Sequence, residues 1–338
     1  MIATLSLYAL PGQLGNIFYF IVLPMLLIAG VGFVLQRRLH LNMQTLTWLN
    51  FYFVIPAMIY YAVVTSPVSA GEAIWAVVLA LGLIVVMAIV TMIVAVVRGV
   101  PKDQRSALMM TTIFFNAGNY GLPLQDLAFR SAGNSALGMS FQSFVMITQN
   151  VVTFTLGILL VASGRKDRHW KDNLKHIVKF PPIYALAAGL LTVQIRNWIG
   201  PENSDAAAYW CSPAWVALLY IKDAFVAIAI LTLGAQLATV KPVPHSYPVK
   251  LSVFLRLLVG PAIGLGLIYA LGINGLLAQV LIISTSTPTA VNTMLLCLEF
   301  NNHPEFAARA VFYSTLLSPI TITLVVFLAQ CGVLSVFD

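Results

Sequence analysis

Asn116 and Asn119 stand in the middle of an otherwise apolar stretch, in the run Phe114-Phe115-Asn116-Ala117-Gly118-Asn119-Tyr120-Gly121-Leu122-Pro123-Leu124. A second polar run, Ser284-Thr285-Ser286-Thr287-Pro288-Thr289-Ala290-Val291-Asn292, interrupts an apolar stretch at a corresponding place in the other half of the chain. The side chains on offer are amides and hydroxyls. They donate and accept hydrogen bonds but include no nucleophile–base pair, so their chemistry is recognition. Gly118 and Gly121 let the backbone take unusual angles and let another chain come close. Pro123 and Pro288 each remove a backbone donor and clash with the preceding turn. In lipid such breaks persist only where protein or a water-filled cavity receives the freed groups. A matched pair of interrupted spans is the sequence pointer to the binding site of a secondary transporter.

Other polar residues fall inside apolar runs. Gln149 and Asn150 sit mid-span, where two amides need partners. A substrate is one candidate, and the freed backbone of the broken helices is another. Lys222 and Asp223 lie about a third of the way into a span, where charges are costly and read as functional by default. Adjacent residues on a helix point about 100° apart, so these two are expected not to pair with each other. They are read either as coupling or gating groups, or as a snorkelling lysine beside an aspartate on a wet vestibule. Asp126 follows the first break and is a proton carrier or an interfacial acid. No acidic residue lies within either break, which argues against sodium coupling, since sodium sites often recruit carboxylates.

The elements that must hold these residues follow from composition. Of 338 residues, 60% are hydrophobic and only 9% are charged. A soluble domain carries about 25% charged residues, so the chain is an all-α polytopic membrane protein. Ten spans near the ~20 residues a bilayer requires can be drawn. They cover 14–35, 44–64, 73–97, 106–129, 134–162, 181–198, 213–238, 249–272, 275–298 and 306–334. Basic residues crowd one set of loops, including Arg37, Arg38, Arg98, Lys102, Arg105 and the Arg165–Lys179 segment, and the opposite side holds only Arg130 and Arg196. The positive-inside rule puts the crowded side in the cytoplasm and both termini outside. The chain then divides into a first five-helix repeat (1–162), a cytoplasmic linker (163–179) and a second five-helix repeat (180–338). An odd number of spans per half forces the halves into opposite topology, an inverted repeat. Phe129–Leu160 resembles Phe300–Cys331 at one constant offset, although the prolines of the two breaks do not align. Spans four and nine would cross at their breaks, with two half-helix N-termini aimed at the crossing. Free N–H groups and about half a positive charge at each end suit an anion such as a carboxylate.

Several classes are excluded. The net charge of +7 resides in short loops, as in membrane proteins, so no nucleic-acid partner is expected. Cys211, Cys297 and Cys331 form neither a disulfide framework nor a metal motif. The five histidines, at 40, 169, 176, 245 and 303, fall in loops and read as solvated. No HExxH, Walker A, GxSxG or dinucleotide fingerprint occurs in a usable context, so no enzyme activity, cofactor or metal is expected. A membrane receptor or a channel for the same ligand class stays open as the alternative.

Three stretches carry a resemblance: Asn116-Ala117-Gly118-Asn119-Tyr120-Gly121-Leu122-Pro123-Leu124, Leu231-Thr232-Leu233-Gly234-Ala235-Gln236-Leu237, and Pro288-Thr289-Ala290-Val291-Asn292. In these the chain resembles the auxin efflux carrier family of membrane transporters. The resemblance covers essentially the whole chain. It implies a 5+5 inverted fold with crossed, broken helices 4 and 9 in a mobile transport domain. Spans one, two, six and seven would form a scaffold that often dimerises and would carry Lys222 and Asp223. Asn116, Pro123 and Pro288 would be crossover residues and Gln149 the span-five amide near the substrate. Substrate contacts are expected from Asn116, Gly118, Asn119, Tyr120, Gly121, Pro123, Gln149, Asn150, Thr285, Ser286, Thr287, Pro288, Thr289 and Asn292. The short linker lacks room for the long cytoplasmic loop of the plant carriers. Bacterial members have been linked to dicarboxylates, so the expected partners are a small organic anion, the bilayer and a second copy of the chain.

Overall fold

The computed structural model describes residues 10–65, 68–161, 181–240 and 247–330. The expected linker at 163–179 lies outside them. The described residues are helical throughout, and no strand occurs among them beyond one isolated bridge. In chain order the helices are α1 Gly12–Leu39, α2 Met43–Thr65, α3 Ala70–Val97, α4 Arg105–Ile113, α5 Leu122–Arg130 and α6 Ser135–Val161. They continue as α7 Pro181–Asp223, α8 Phe225–Thr239, α9 Tyr247–Ala270, α10 Gly275–Thr285, α11 Val291–Glu299 and α12 Pro304–Gln330. Seven helical stretches among the described residues are long and apolar enough to cross a membrane. They fall on expected spans one, two, three, five, seven, eight and ten. Expected spans four and nine are the interrupted ones, each present as two short helices.

Proline shapes these helices in a repeated way. Five-residue π turns occupy Phe18–Val22, Asn50–Val54, Ala117–Gly121 and Leu255–Val259. Each ends two residues before a proline: Pro24, Pro56, Pro123 and Pro261. A proline inside an α-helix leaves the carbonyl four residues back without a donor and clashes with it, at about 3 kcal/mol. A turn widened by one residue relieves the clash, because the residue before the proline reaches back further. Leu23, Ile55 and Gly260 donate their N–H groups to Phe18 O, Asn50 O and Leu255 O. A fifth π turn, Thr153–Gly157, has no proline. The turns rotate Asn50, Thr153 and Arg256 towards the two breaks.

Two helix pairs lie together, α1 on α8 and α2 on α7, while α3 to α6 pack with α9 to α12. The first pair meets backbone to backbone. A methyl group at Gly32 would strike the main chain of Leu231, and one at Gly234 would strike the main chain of Ala29. Small residues at such crossings allow the close approach that holds membrane helices together.

The segment 199–212, expected as a loop, is helical, so α7 is one run of 43 residues. Ala206-Ala207-Ala208 are strong helix formers, whereas Pro201, interior to the run, disfavours a straight helix. The run is not straight. Thr192 Oγ1 lies 3.0 Å from the hydroxyl of Tyr60, and Lys222 Nζ sits 4.5 Å from the ring centre of Tyr61. A straight helix would separate those two α7 residues by roughly 45 Å. Neighbouring tyrosines cannot span that distance, so α7 doubles back against α2.

The tight α1–α8 contact yields a test. Gly234→Ala should lower the thermal midpoint of the detergent-purified protein by several degrees, an overpacking cost of about 1–3 kcal/mol. Gly30→Ala, with open space around it, should leave the midpoint unchanged or slightly raised. Equal midpoints for the two variants would contradict this packing.

Candidate functional site

The two breaks lie side by side and complete each other. Phe115 and Thr289 form an antiparallel bridge. Asn116 donates its N–H to Pro288 O at 2.8 Å, and Ala290 donates to Phe114 O at 3.0 Å. Side chains take the remaining groups. Thr289 Oγ1 donates to Thr111 O at 2.8 Å, Ser314 Oγ accepts from Thr289 N–H at 3.1 Å, and Gln142 Nε2 donates to Ala117 O at 2.8 Å. These bonds meet part of the backbone that the breaks free, as burial requires, and the N–H groups at the two helix starts are not among the groups they meet.

The C-terminal ends of the half-helices α4 and α10 share a cation. Arg256 is fully buried. Its Nη1 donates to Thr112 O at 3.1 Å, its Nη2 donates to Thr285 O, and its guanidinium lies 5.1 Å from the ring centre of Phe115. Both carbonyl ends carry about half a negative charge, and one planar fork meets both. Two glycines of α9 make the room. A methyl group at Gly260 would come within 2.6 Å of Arg256 Nη2, and one at Gly264 within 2.6 Å of Thr285 Oγ1. The sequence reading missed Arg256, and its signal was plain: an arginine inside an apolar span.

The N-terminal ends of the resumed helices face a different environment. The residues that open them, Asn116 and Ala290, make no side-chain cap hydrogen bond. Both line a cavity of about 30 Å³, enough for one or two waters. The first break contributes Asn116, Gly118 and Asn119, the second Ala290, Val291 and Asn292, and α6 contributes Gln149, Asn150 and Thr153. Phe51 of α2 and Gln236 of α8 form the facing wall. Asn292 Nδ2 donates to Asn150 Oδ1 at 3.1 Å, and Asn50 Nδ2 donates to Asn119 Oδ1 at 3.2 Å. Asn116 Nδ2, both polar atoms of the Gln149 side chain and Gln236 Oε1 are buried with no hydrogen-bond partner. No charged side chain lines the cavity. Its field comes from two uncapped helix starts, each worth about half a positive charge.

Of the expected site residues, Asn116, Gly118, Asn119, Gln149, Asn150 and Asn292 are brought together at this cavity. The others stand behind it. The Tyr120 hydroxyl lies 3.0 Å from Ser318 Oγ, which donates to it. Gly121 packs against Gln142, and Pro123 occupies the first turn of α5. The hydroxyls of Thr285, Ser286 and Thr287 turn back to Ile282 O, Ile283 O and Ser284 O at 2.8, 2.6 and 2.8 Å. They close the last turn of α10, and Thr289 closes that of α4. Asp126 is bound to Arg130 and Ser135, away from the cavity lining.

Lys222 and Asp223 do pair, at 2.6 Å, against expectation. The α-helix ends at Asp223 and restarts at Phe225, so the 100° spacing of a regular helix does not hold there, and the lysine stem spans the gap. His303, expected to be solvated, places Nε2 3.2 Å from Asp103 Oδ2. Phe51, Phe115, Thr153 and Gln236 were not singled out from the sequence as site residues. Gln236 carried a signal as an amide within an apolar run. The aromatic residues carried none, since phenylalanine is ordinary in a span.

Comparison with known proteins identifies the family of the chain. Residues 17–326 match the family described as membrane transport protein. Over 231 residues the chain is 26% identical to an uncharacterized transporter of Methanothermobacter thermautotrophicus, covering 67% of this chain and 69% of that one. It is 26% identical over 226 residues to an uncharacterized transporter of Methanocaldococcus jannaschii, covering 66% and 68%. Over 214 residues it is 30% identical to auxin efflux carrier component 1 of Arabidopsis thaliana, a match that spans 62% of this chain but only 30% of the plant protein. A chain of long apolar helices that matches this family along almost its whole length is a multi-pass membrane protein and belongs to the auxin efflux carrier family of membrane transporters.

Proposed function

We propose that the protein is a secondary transporter that carries a small organic anion, such as a mono- or dicarboxylate, by alternating access at the paired breaks. The observation that carries this reading is the convergence of two uncapped helix N-termini and several unpaired amides on one cavity. Backbone N–H groups at a helix start bind carboxylates without a cationic side chain. Asn116 Nδ2 and Gln149 Nε2 are donors awaiting a ligand acceptor, and Gln149 Oε1 and Gln236 Oε1 would receive its hydroxyl or protonated groups. The hydroxyls of 285–289 support the site from behind by closing the carbonyl ends.

The fold that goes with this reading has ten spans in a 5+5 inverted repeat, with helices 4 and 9 crossed at their breaks. The doubling back of α7 supports counting 181–198 and 213–238 as separate spans, and the antiparallel bridge at Phe115 and Thr289 supports the crossing. The helices α1, α2, α7 and α8 would be the scaffold, and the rest would move against them. The cavity is too small for a carboxylate of several carbons, so its walls must part to load. The Asn50–Asn119 bond and the wall of Phe51 and Gln236 cross from scaffold to moving part and are where parting would occur. The reading further places the protein in the cytoplasmic membrane, with both termini outside and a homodimer formed through the scaffold.

Two outcomes test the reading. Unpaired buried amides destabilise the empty protein by about 1–3 kcal/mol each. Gln149→Met should therefore raise the ligand-free thermal midpoint while weakening the affinity for the anion about tenfold, and Asn116→Ala should weaken affinity with little change in midpoint. A thermal-shift screen against mono- and dicarboxylates supplies both numbers, since a ligand of the folded state raises the midpoint. Unchanged affinity in well-folded variants would contradict the assignment. The second outcome concerns coupling. Flux into proteoliposomes should persist when choline replaces sodium, and flux that vanishes in choline would overturn sodium independence.

A further inference from the structure

The fully buried guanidinium of Arg256, forked between the carbonyl ends of α4 and α10, has a role that anion recognition does not require. It does not line the cavity, lies over Phe115, which does, and its hydrogen bonds go to backbone carbonyls and not to the cavity amides. Unwound carbonyls and half-helix C-termini are the groups with which interrupted transporter helices coordinate a monovalent cation. Here those oxygens are assembled. Thr112 O and Thr285 O accept from the two arms of one guanidinium, while the preceding carbonyl, Thr111 O, is engaged by Thr289 Oγ1. The arginine is rooted on a third helix. The seat is built for it: Gly260 leaves the space of the guanidinium, the π turn Leu255–Val259 aims it, and Phe115 covers it with an aromatic face.

We propose that Arg256 is a tethered cation occupying a monovalent-cation position of the paired breaks, so that the protein supplies from its own chain the positive charge a coupling ion would otherwise bring. Two consequences follow from charge alone. The two negative helix ends are neutralised permanently, and the two positive helix starts on the cavity side are left uncompensated for the anion. A charge that cannot leave travels with the moving helices on both the loaded and the empty leg. It cancels over the cycle, so no cation gradient can be harvested through this position. Arg256 is a positioning residue: it acts on the anion through the helix ends.

The test removes the tether and asks whether a free cation takes its place. Purified wild type, Arg256→Lys, Arg256→Met and Arg256→Ala are melted in choline, lithium, sodium and potassium chloride at one ionic strength, with no organic anion added. Wild type should melt at the same temperature in all four salts. Arg256→Ala, which leaves both the oxygens and the space, should melt several degrees lower in choline and regain at least half of that loss in one of the small cations. Arg256→Met, which fills the space with apolar atoms, should lose stability and regain none, and Arg256→Lys, which keeps the charge but not the fork, should melt between wild type and Arg256→Met with no salt response. An Arg256→Ala protein no more responsive to small cations than wild type would overturn the proposal. So would Arg256→Met as stable as wild type in choline. If the alanine protein fails to fold in choline, its recovery in the other salts decides: folding restored by one small cation supports the proposal, and failure in all four salts overturns it. The inference rests on the transporter reading only for its consequence for coupling. The melting experiment uses no anion, so its failure is distinct from a failure of anion binding.

Discussion

In lipid, a helix that breaks needs a partner for the backbone groups it frees, and the arrangement of this structure follows from how far that demand is met on each side of the breaks. Neither break is tolerable alone. Placed antiparallel, each supplies what the other lacks: Asn116 N–H meets Pro288 O and Phe114 O meets Ala290 N–H. What remains is polarised. Carbonyl ends gather on one side, where hydroxyls of the 285–289 run and one arginine satisfy them. N–H ends gather on the other, where nothing charged does. The asymmetry follows from helix direction, because two resumed helices necessarily start where two others have stopped.

The cavity side is left under-satisfied, and this is an expected signature of a binding site. A buried amide without a partner is costly, yet Asn116, Gln149 and Gln236 all keep one or more such atoms. Apolar replacements would pack better and recognise nothing. The opposite face of the breaks is more fully met, with glycines cut to fit the guanidinium and threonines turned onto their own carbonyls, although Arg256 Nε and Ser284 Oγ are buried there without a partner. Stability is concentrated where the chain is held and relinquished where a ligand would be.

Much of this was legible in the sequence, because lipid makes the code strict. Glycine, proline and asparagine in the middle of an apolar run admit few readings, and both breaks were found where they lie. The amides Gln149 and Asn150 were equally visible. The roles of the hydroxyls were not, because composition does not say whether a threonine faces a ligand or its own last turn. Thr285 to Thr287 end a helix, and there the nearest acceptor is the carbonyl three residues back. Arg256 escaped because basic residues were weighed as loop markers of orientation, and one buried in a span does not enter that tally. The Lys222–Asp223 pair was misjudged by assuming a regular helix where one ends. The doubling back of α7 has no marker in the apolar pattern, and the contacts to Tyr60 and Tyr61 disclose it.

The central claim is that the anion sits on the helix starts at Asn116–Asn119 and Ala290–Asn292. A cryo-EM structure of the protein saturated with a carboxylate that stabilises it reads this directly. The account predicts density for the carboxylate within hydrogen-bond reach of those N–H groups and of Gln149, in a cavity widened from its present 30 Å³. Ligand density elsewhere, with this cavity still closed and its amides still unpaired, would contradict it.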